Sequence, residues 1–182
     1  MQDPLWGWID LEHDSGTAAR MTISGESIPT SSIRRISGEA TRTDVPIGTR
    51  NPERLGLLID DHEFDMHPAP GGFARRSHRV TVTGRGHTWL FAAATPTAHR
   101  LVRGSRYTGR NEIGMFTEFE HEVTAEWTQD VRFAGIVAGK EDSTPLDCSL
   151  GYLLAAAFGT GAQLMLFALF SNAVESVFPP GA

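Results

Sequence analysis

The stretch CSLGYLLAAAFGTGAQLMLFALFSNAV, Cys148 to Val174, carries no charged side chain, and its reading decides the fold. A helix start precedes it. Thr144 is placed to accept a bond from the backbone N–H near Asp147, Pro145 suits the first helical position, and Asp147 complements the positive helix end. Leu150, Leu153, Leu154, Ala157 and Phe158 form one apolar row, while Ala155 and Ala156 make the opposite side apolar too. A helix apolar all round must avoid water on every face. Gly159-Thr160-Gly161 then predicts a break, because two glycines cost roughly 2 kcal/mol of helix propensity relative to alanine. A second helix is expected from Ala162 to about Val177, stopped by Pro179-Pro180.

Two environments satisfy such a segment. As an unbroken helix, Ser149 to Phe170 would span roughly 33 Å, enough for the hydrocarbon of a bilayer. Gln163 and the Gly-Thr-Gly break fall inside that span, where exposed polar backbone is costly in lipid. Only Arg132 and Lys140 lie near its N-terminal side, and no basic residue follows. The expectation is therefore a pair of helices buried in a protein core, with a membrane anchor as the alternative.

The 182 residues fit one domain, with a β-rich part over 1–139 and an apolar helical part over 145–178. One cysteine, Cys148, excludes an internal disulfide and reads as a packing residue; a lipid-modified thiol is a minor alternative. Met1 to Asp14 is polar and aromatic rather than basic and apolar, so a cleaved secretion signal is not expected. The expected setting is reducing and cytoplasmic, with association to a membrane if the tail enters one.

Upstream, short runs alternate with period two between turn signals. Leu5, Ile9 and Leu11 point one way and Trp6, Trp8 and Asp10 the other; after a turn at Asp14-Ser15-Gly16, a strand from Arg20 to Ser24 is expected to pair as a hairpin. A strand near Ile33 to Ile36, a surface loop to Arg54 and a strand Leu55 to Ile59 follow. Asp60 then opens an acidic loop closed by Pro68-Ala69-Pro70-Gly71-Gly72. Arg79 to Thr83 and His87 to Ala94 flank Gly84-Arg85-Gly86 as a hairpin, and the nearly continuous apolar run Thr88 to Ala94 predicts cover on both faces. His99 to Arg103 and Ile113 to Trp127 continue the series. In the last run Met115, Phe119, Val123, Ala125 and Trp127 are expected on one face, with Glu118, Glu120, Glu122 and Glu126 on a solvated one; His121 reads as a hydrogen-bonded or partly covered histidine. The fold class is α+β, mainly an antiparallel sheet or barrel with apolar C-terminal helices packed in or against it.

Charge is unevenly distributed. From Met66 to Asn111 there are eight arginines and no acid: Arg75, Arg76, Arg79, Arg85, Arg100, Arg103, Arg106 and Arg110. Gathered on one surface they would bind phosphate groups; paired with the glutamates of the last run they would be structural. A net charge of −6 argues against broad affinity for nucleic acid. Anionic lipid or an acidic protein surface is the partner class that fits, and the C-terminal helix offers a surface for self-association. Asp60-Asp61-His62-Glu63-Phe64-Asp65-Met66-His67 is dense in potential ligands, but His62 and His67 fit neither a helical metal site nor strand alternation. The third reading, a small metal-dependent hydrolase, rests on that segment alone. No serine elbow, phosphate loop or dinucleotide fingerprint is present, and no cofactor and no metal is expected.

Successive short strands followed by an almost wholly apolar C-terminal helix resemble the tubby-like and LURP-one-related barrels, in which such a helix runs through a closed barrel. Arg79 to Trp127 would supply hairpins and Leu146 to Phe158 the central helix. The resemblance covers under half of the chain, and the expected second helix departs from the pattern. It implies a membrane-surface role, since that family is associated with binding membrane phosphoinositides or acting on lipids; no binding residue carries over.

Overall fold

In the computed structural model, residues 1–14, 18–36, 38, 40, 42–72, 74–119, 122–128, 132–133, 136–137 and 142–160 are described. The expected second helix, His121, Glu120 and Lys140 lie outside the described residues.

Eleven antiparallel strands follow one another around a single sheet in chain order. They are β1 (Gln2–Asp3), β2 (Gly7–Asp14), β3 (Arg20–Gly25), β4 (Ile28–Arg35), β5 (Leu55–Ile59), β6 (His62–Pro68), β7 (Val80–Gly84), β8 (His87–Ala93), β9 (Ala98–Arg103), β10 (Glu112–Phe119) and β11 (Glu122–Trp127). Two further short strands, β12 (Arg132–Phe133) and β13 (Ile136–Val137), pair with each other. Each strand pairs with the next, so every large connection is a hairpin or a loop, and twist curls the sheet into a nearly closed barrel.

Among the described residues one helix, α1 (Pro145–Phe158), supplies the filling. Its start follows the sequence expectation: the Thr144 hydroxyl accepts from the Asp147 backbone N–H, and the Asp147 carboxylate accepts from the Thr144 N–H at 2.9 Å. Gly159 ends it with φ of 76°, a conformation that glycine adopts without strain. Strands β3 and β4 pack against one part of the helix and β9, β10 and β11 against another. Leu150, Leu153, Leu154, Ala155, Ala157 and Phe158 are accordingly buried whichever way they point. The apolar stretch is therefore core as far as Phe158. Among the described residues no helix is long and apolar enough to cross a membrane.

Period two locates the inner wall. Ile9, Met21, Ile23, Ile33, Leu57, Ile59, Val80, Val82, Phe91 and Leu101 face inward and join the helix in one core. Trp89, Leu90 and Phe91 are all buried, so β8 is covered on both faces, as its unbroken apolar run predicts. Gly151 lies against the Phe116 ring, where an added Cβ would stand 2.0 Å from Cζ, and this absence of a side chain lets β10 approach the helix.

Three expectations are corrected. The acidic segment after Asp60 is not a loop: His62–Pro68 is β6, held between β5 and β7. Asp60 and Asp61 alone make the turn, with φ of 47° and 61°, a left-handed pair that aspartate tolerates in a tight hairpin. Phe64, Met66 and Pro68 point inward, so the alternation was present beneath the acidic composition. Second, Ile113 to Trp127 does not keep one apolar face. β10 and β11 are antiparallel partners with Phe116 opposite Ala125, so the inward parity changes at the reversal. Phe116 rather than Met115 is fully buried, and Glu118 sits opposite Val123 instead of sharing an outer face with Glu126. Third, the barrel is built from Gln2 onward, not only from the hairpins between Arg79 and Trp127.

Candidate functional site

The antiparallel register divides the connections between two ends of the barrel. At the entry end, where Thr144 caps α1, lie the turns at 60–61 and 85–86 and the loop 104–111. At the exit end, where Gly159 terminates it, lie the 36–54 loop, the 69–79 connection and the 94–97 turn. Ile47 N–H donates to Ala157 O at 3.2 Å, and the Glu118 N–H donates to Thr160 Oγ1 at 2.9 Å, so the last described residue sits at this exit end.

This division separates the eight arginines. Arg75 and Arg76 occupy a short 3₁₀ turn, Arg75–His78, at the exit end, and Arg79 follows it; all three are exposed. Arg75 Nη1 donates to Ala94 O at 3.3 Å, which retains its charge for solvent. Arg85 is in the turn at the other end of β7, roughly 20 Å of strand away. Arg106 and Arg110, also exposed, are in the loop at that entry end. Arg100 lies on the outer wall, pairs with Glu112 at 3.2 Å and stacks over Tyr107 at 4.0 Å. Arg103 turns inward to Asp147 at 2.5 Å, where it and the Trp89 indole, at 2.7 Å, hold the carboxylate that caps the helix. The carboxylates that Arg100 and Arg103 meet are thus Glu112 and Asp147.

A second arginine group comes from the 36–54 loop, whose scattered polar residues carry no periodic signal. Arg42, Thr49, Arg50, Asn51, Pro52, Pro68 and Pro70 line a cleft of about 440 Å³ at the exit end. Arg42 is neutralised by Asp44 through Nε and Nη2, and its Nη1 donates to Pro70 O. Hydrogen bonding from Arg42 holds the Asp44 carboxyl below its usual range. Arg50 is different. It is only 6 % exposed, donates Nη1 to Ala69 O at 3.1 Å, and lies over the Phe158 ring at 5.1 Å. Burial, then repulsion from Arg42, pushes its guanidinium down to about 10, with Asp44 opposing. Its only marks in the sequence were an arginine and two prolines nearby.

The other chemically suggestive residues do not assemble. His62 and His67 are at opposite ends of β6, on opposite faces. Among the described residues no group of three or more His, Cys, Asp or Glu is placed to hold a metal ion. Cys148 is fully buried, and burial with the nearby Asp3 and Asp147 charges pushes its thiol above the ordinary range, away from the reactive thiolate. No protein-family model, curated protein or solved structure matches the chain.

Proposed function

We propose that this chain is a non-catalytic binding module that sets the exit end of its barrel on an anionic lipid surface, with Arg75, Arg76 and Arg79 as the contacting cations. The observation that carries the reading is their juxtaposition. Three exposed guanidiniums, with no carboxylate partner among the described residues, share an end with Thr160, after which the uncharged sequence continues to Val174. Basic residues near an anionic leaflet each contribute about 1 kcal/mol, and an adjoining apolar segment supplies the second signal that stable attachment needs. Asp14, Glu118 and Glu122 also lie at this end, on the β2–β3 and β10–β11 side, so the charge is polarised across it. The resemblance to the tubby-like and LURP-one-related barrels supports the same membrane-surface role.

Co-sedimentation with vesicles of graded phosphatidylserine content, across a salt series, tests this. Binding should rise with anionic lipid and fall with salt. The triple change Arg75→Glu, Arg76→Glu, Arg79→Glu should weaken it on the order of a hundredfold, from about 1 kcal/mol per residue. The same reversal at Arg85, Arg106 and Arg110 should change it far less. Binding that ignores lipid charge, or that depends on the entry-end arginines instead, refutes the reading; capture by an acidic protein surface but not by vesicles favours the alternative partner.

A further inference from the structure

We infer that the cleft between Arg42 and Arg50 is a binding site for one oxyanion group, a phosphate or a carboxylate, distinct from the exposed arginines that face a membrane. The argument starts from Arg50. An arginine of which only 6 % is exposed normally has a carboxylate beside it, because an uncompensated buried charge is expensive. Among the described residues the nearby carboxylate is Asp44, and it is engaged by two nitrogens of Arg42. Among the described residues Arg50 has a single carbonyl and an aromatic face, which leave Nε and Nη2 without an acceptor there.

The rest of the wall has the same polarity. Thr49 Oγ1 already accepts from the Asn51 N–H at 3.2 Å, and Asn51 Oδ1 accepts from the Glu53 N–H at 3.1 Å. Each oxygen thus already accepts one bond from the backbone, while the Thr49 hydroxyl proton and the Asn51 amide protons are available to donate. Pro52, Pro68 and Pro70 contribute no N–H and stiffen the walls. A cleft with spare donors and a buried fork-shaped cation complements a group that is all acceptor and negatively charged. The volume, about 440 Å³, admits a small phosphorylated or carboxylated molecule, and the cleft is also open enough for a lipid headgroup to reach.

Thermal unfolding of the full chain with inorganic phosphate, or with acetate, against chloride at constant ionic strength tests the site. At least one oxyanion should raise Tm in a saturable manner beyond chloride, and Arg50→Gln should lower the apparent affinity about tenfold or more. Thr49→Val, which removes a donor without touching charge, should lower it by a smaller factor. The Arg75, Arg76 and Arg79 reversal should leave the oxyanion response intact, so loss of membrane binding and loss of this site are separable. Glycerol 3-phosphate and phosphatidic acid vesicles distinguish the sources: protection by the soluble compound assigns a free phosphate, and Arg50-dependent vesicle binding assigns a headgroup. No oxyanion effect beyond chloride in the wild type, or an equal effect in Arg50→Gln, overturns the inference.

Discussion

The indole Nε1 of Trp127 lies 2.8 Å from Oδ2 of Asp3, so the last strand of the barrel is tied to the first across its seam. The same oxygen accepts from the Tyr152 hydroxyl at 2.9 Å, and Oδ1 accepts from the backbone N–H groups of Leu5 and Trp6. One buried carboxylate thus joins both edges of the sheet to the central helix. Asp3→Ala should cost about 3–5 kcal/mol, because it removes four hydrogen bonds to one carboxylate at once and strands the buried Tyr152 hydroxyl. Trp127→Phe in the Asp3→Ala background should cost less than in the wild type. Urea unfolding of the four proteins measures the coupling, and purely additive costs would show that the seam is not held this way.

Gly151→Ala should destabilise, although alanine is the better helix former by about 1 kcal/mol. The added methyl would enter the Phe116 ring, and Phe116 is itself packed edge-on against Tyr152 and Trp127 at ring separations of 5.5 Å. Overpacking of this kind costs about 1–3 kcal/mol, so the net sign is set by the core and not by propensity. A raised midpoint in urea would contradict the enclosure of the helix.

Stability should fall on both sides of neutrality. Burial pushes His99 from 6.5 down to about 3, opposed by a backbone hydrogen bond at His78 and reinforced by the charges of Arg50 and His78. Between those two values the unfolded chain binds the proton that the folded chain refuses, so stability rises with pH across that window by up to about 1.4 kcal/mol per unit. His99→Asn should flatten this limb; Asp44, held low by Arg42, contributes in the same direction and remains in both proteins. On the alkaline side burial raises Cys148 and Tyr152 above their ordinary values of 9.0 and 10.0. The unfolded chain ionises first there, and stability declines as pH rises beyond about 9. Urea midpoints from pH 4 to 10 in wild type and His99→Asn check both limbs.

Asp61→Gly should stabilise the β5–β6 hairpin by about 0.5–1 kcal/mol. Asp61 has φ of 61°, which costs an L-residue more than glycine, whereas Asp60 is retained because its Oδ1 accepts from the Thr30 N–H at 3.1 Å. A lower midpoint for this variant would show that the Asp61 side chain contributes something beyond the turn.

The sequence by itself determined the elements whose cause is local. Thr144, Pro145 and Asp147 carry the helix start, and Gly159 its stop, because capping needs only neighbours along the chain. Leu55–Ile59 and the hairpin around Arg85-Gly86 follow from period two and turn chemistry in the same manner. The acidic residues of β6 hid an equally regular alternation, and the reversal between β10 and β11 changed a parity that a single run could not reveal. Only the tertiary structure decided which arginines stand together. Strand register sends Arg79 and Arg85 to opposite ends of the barrel, turns Arg103 inward to Asp147, and folds the 36–54 loop over the helix end so that Arg50 is buried on Phe158. Charge and burial at those positions depend on residues far apart in the chain, and closing the barrel is what brings them within reach.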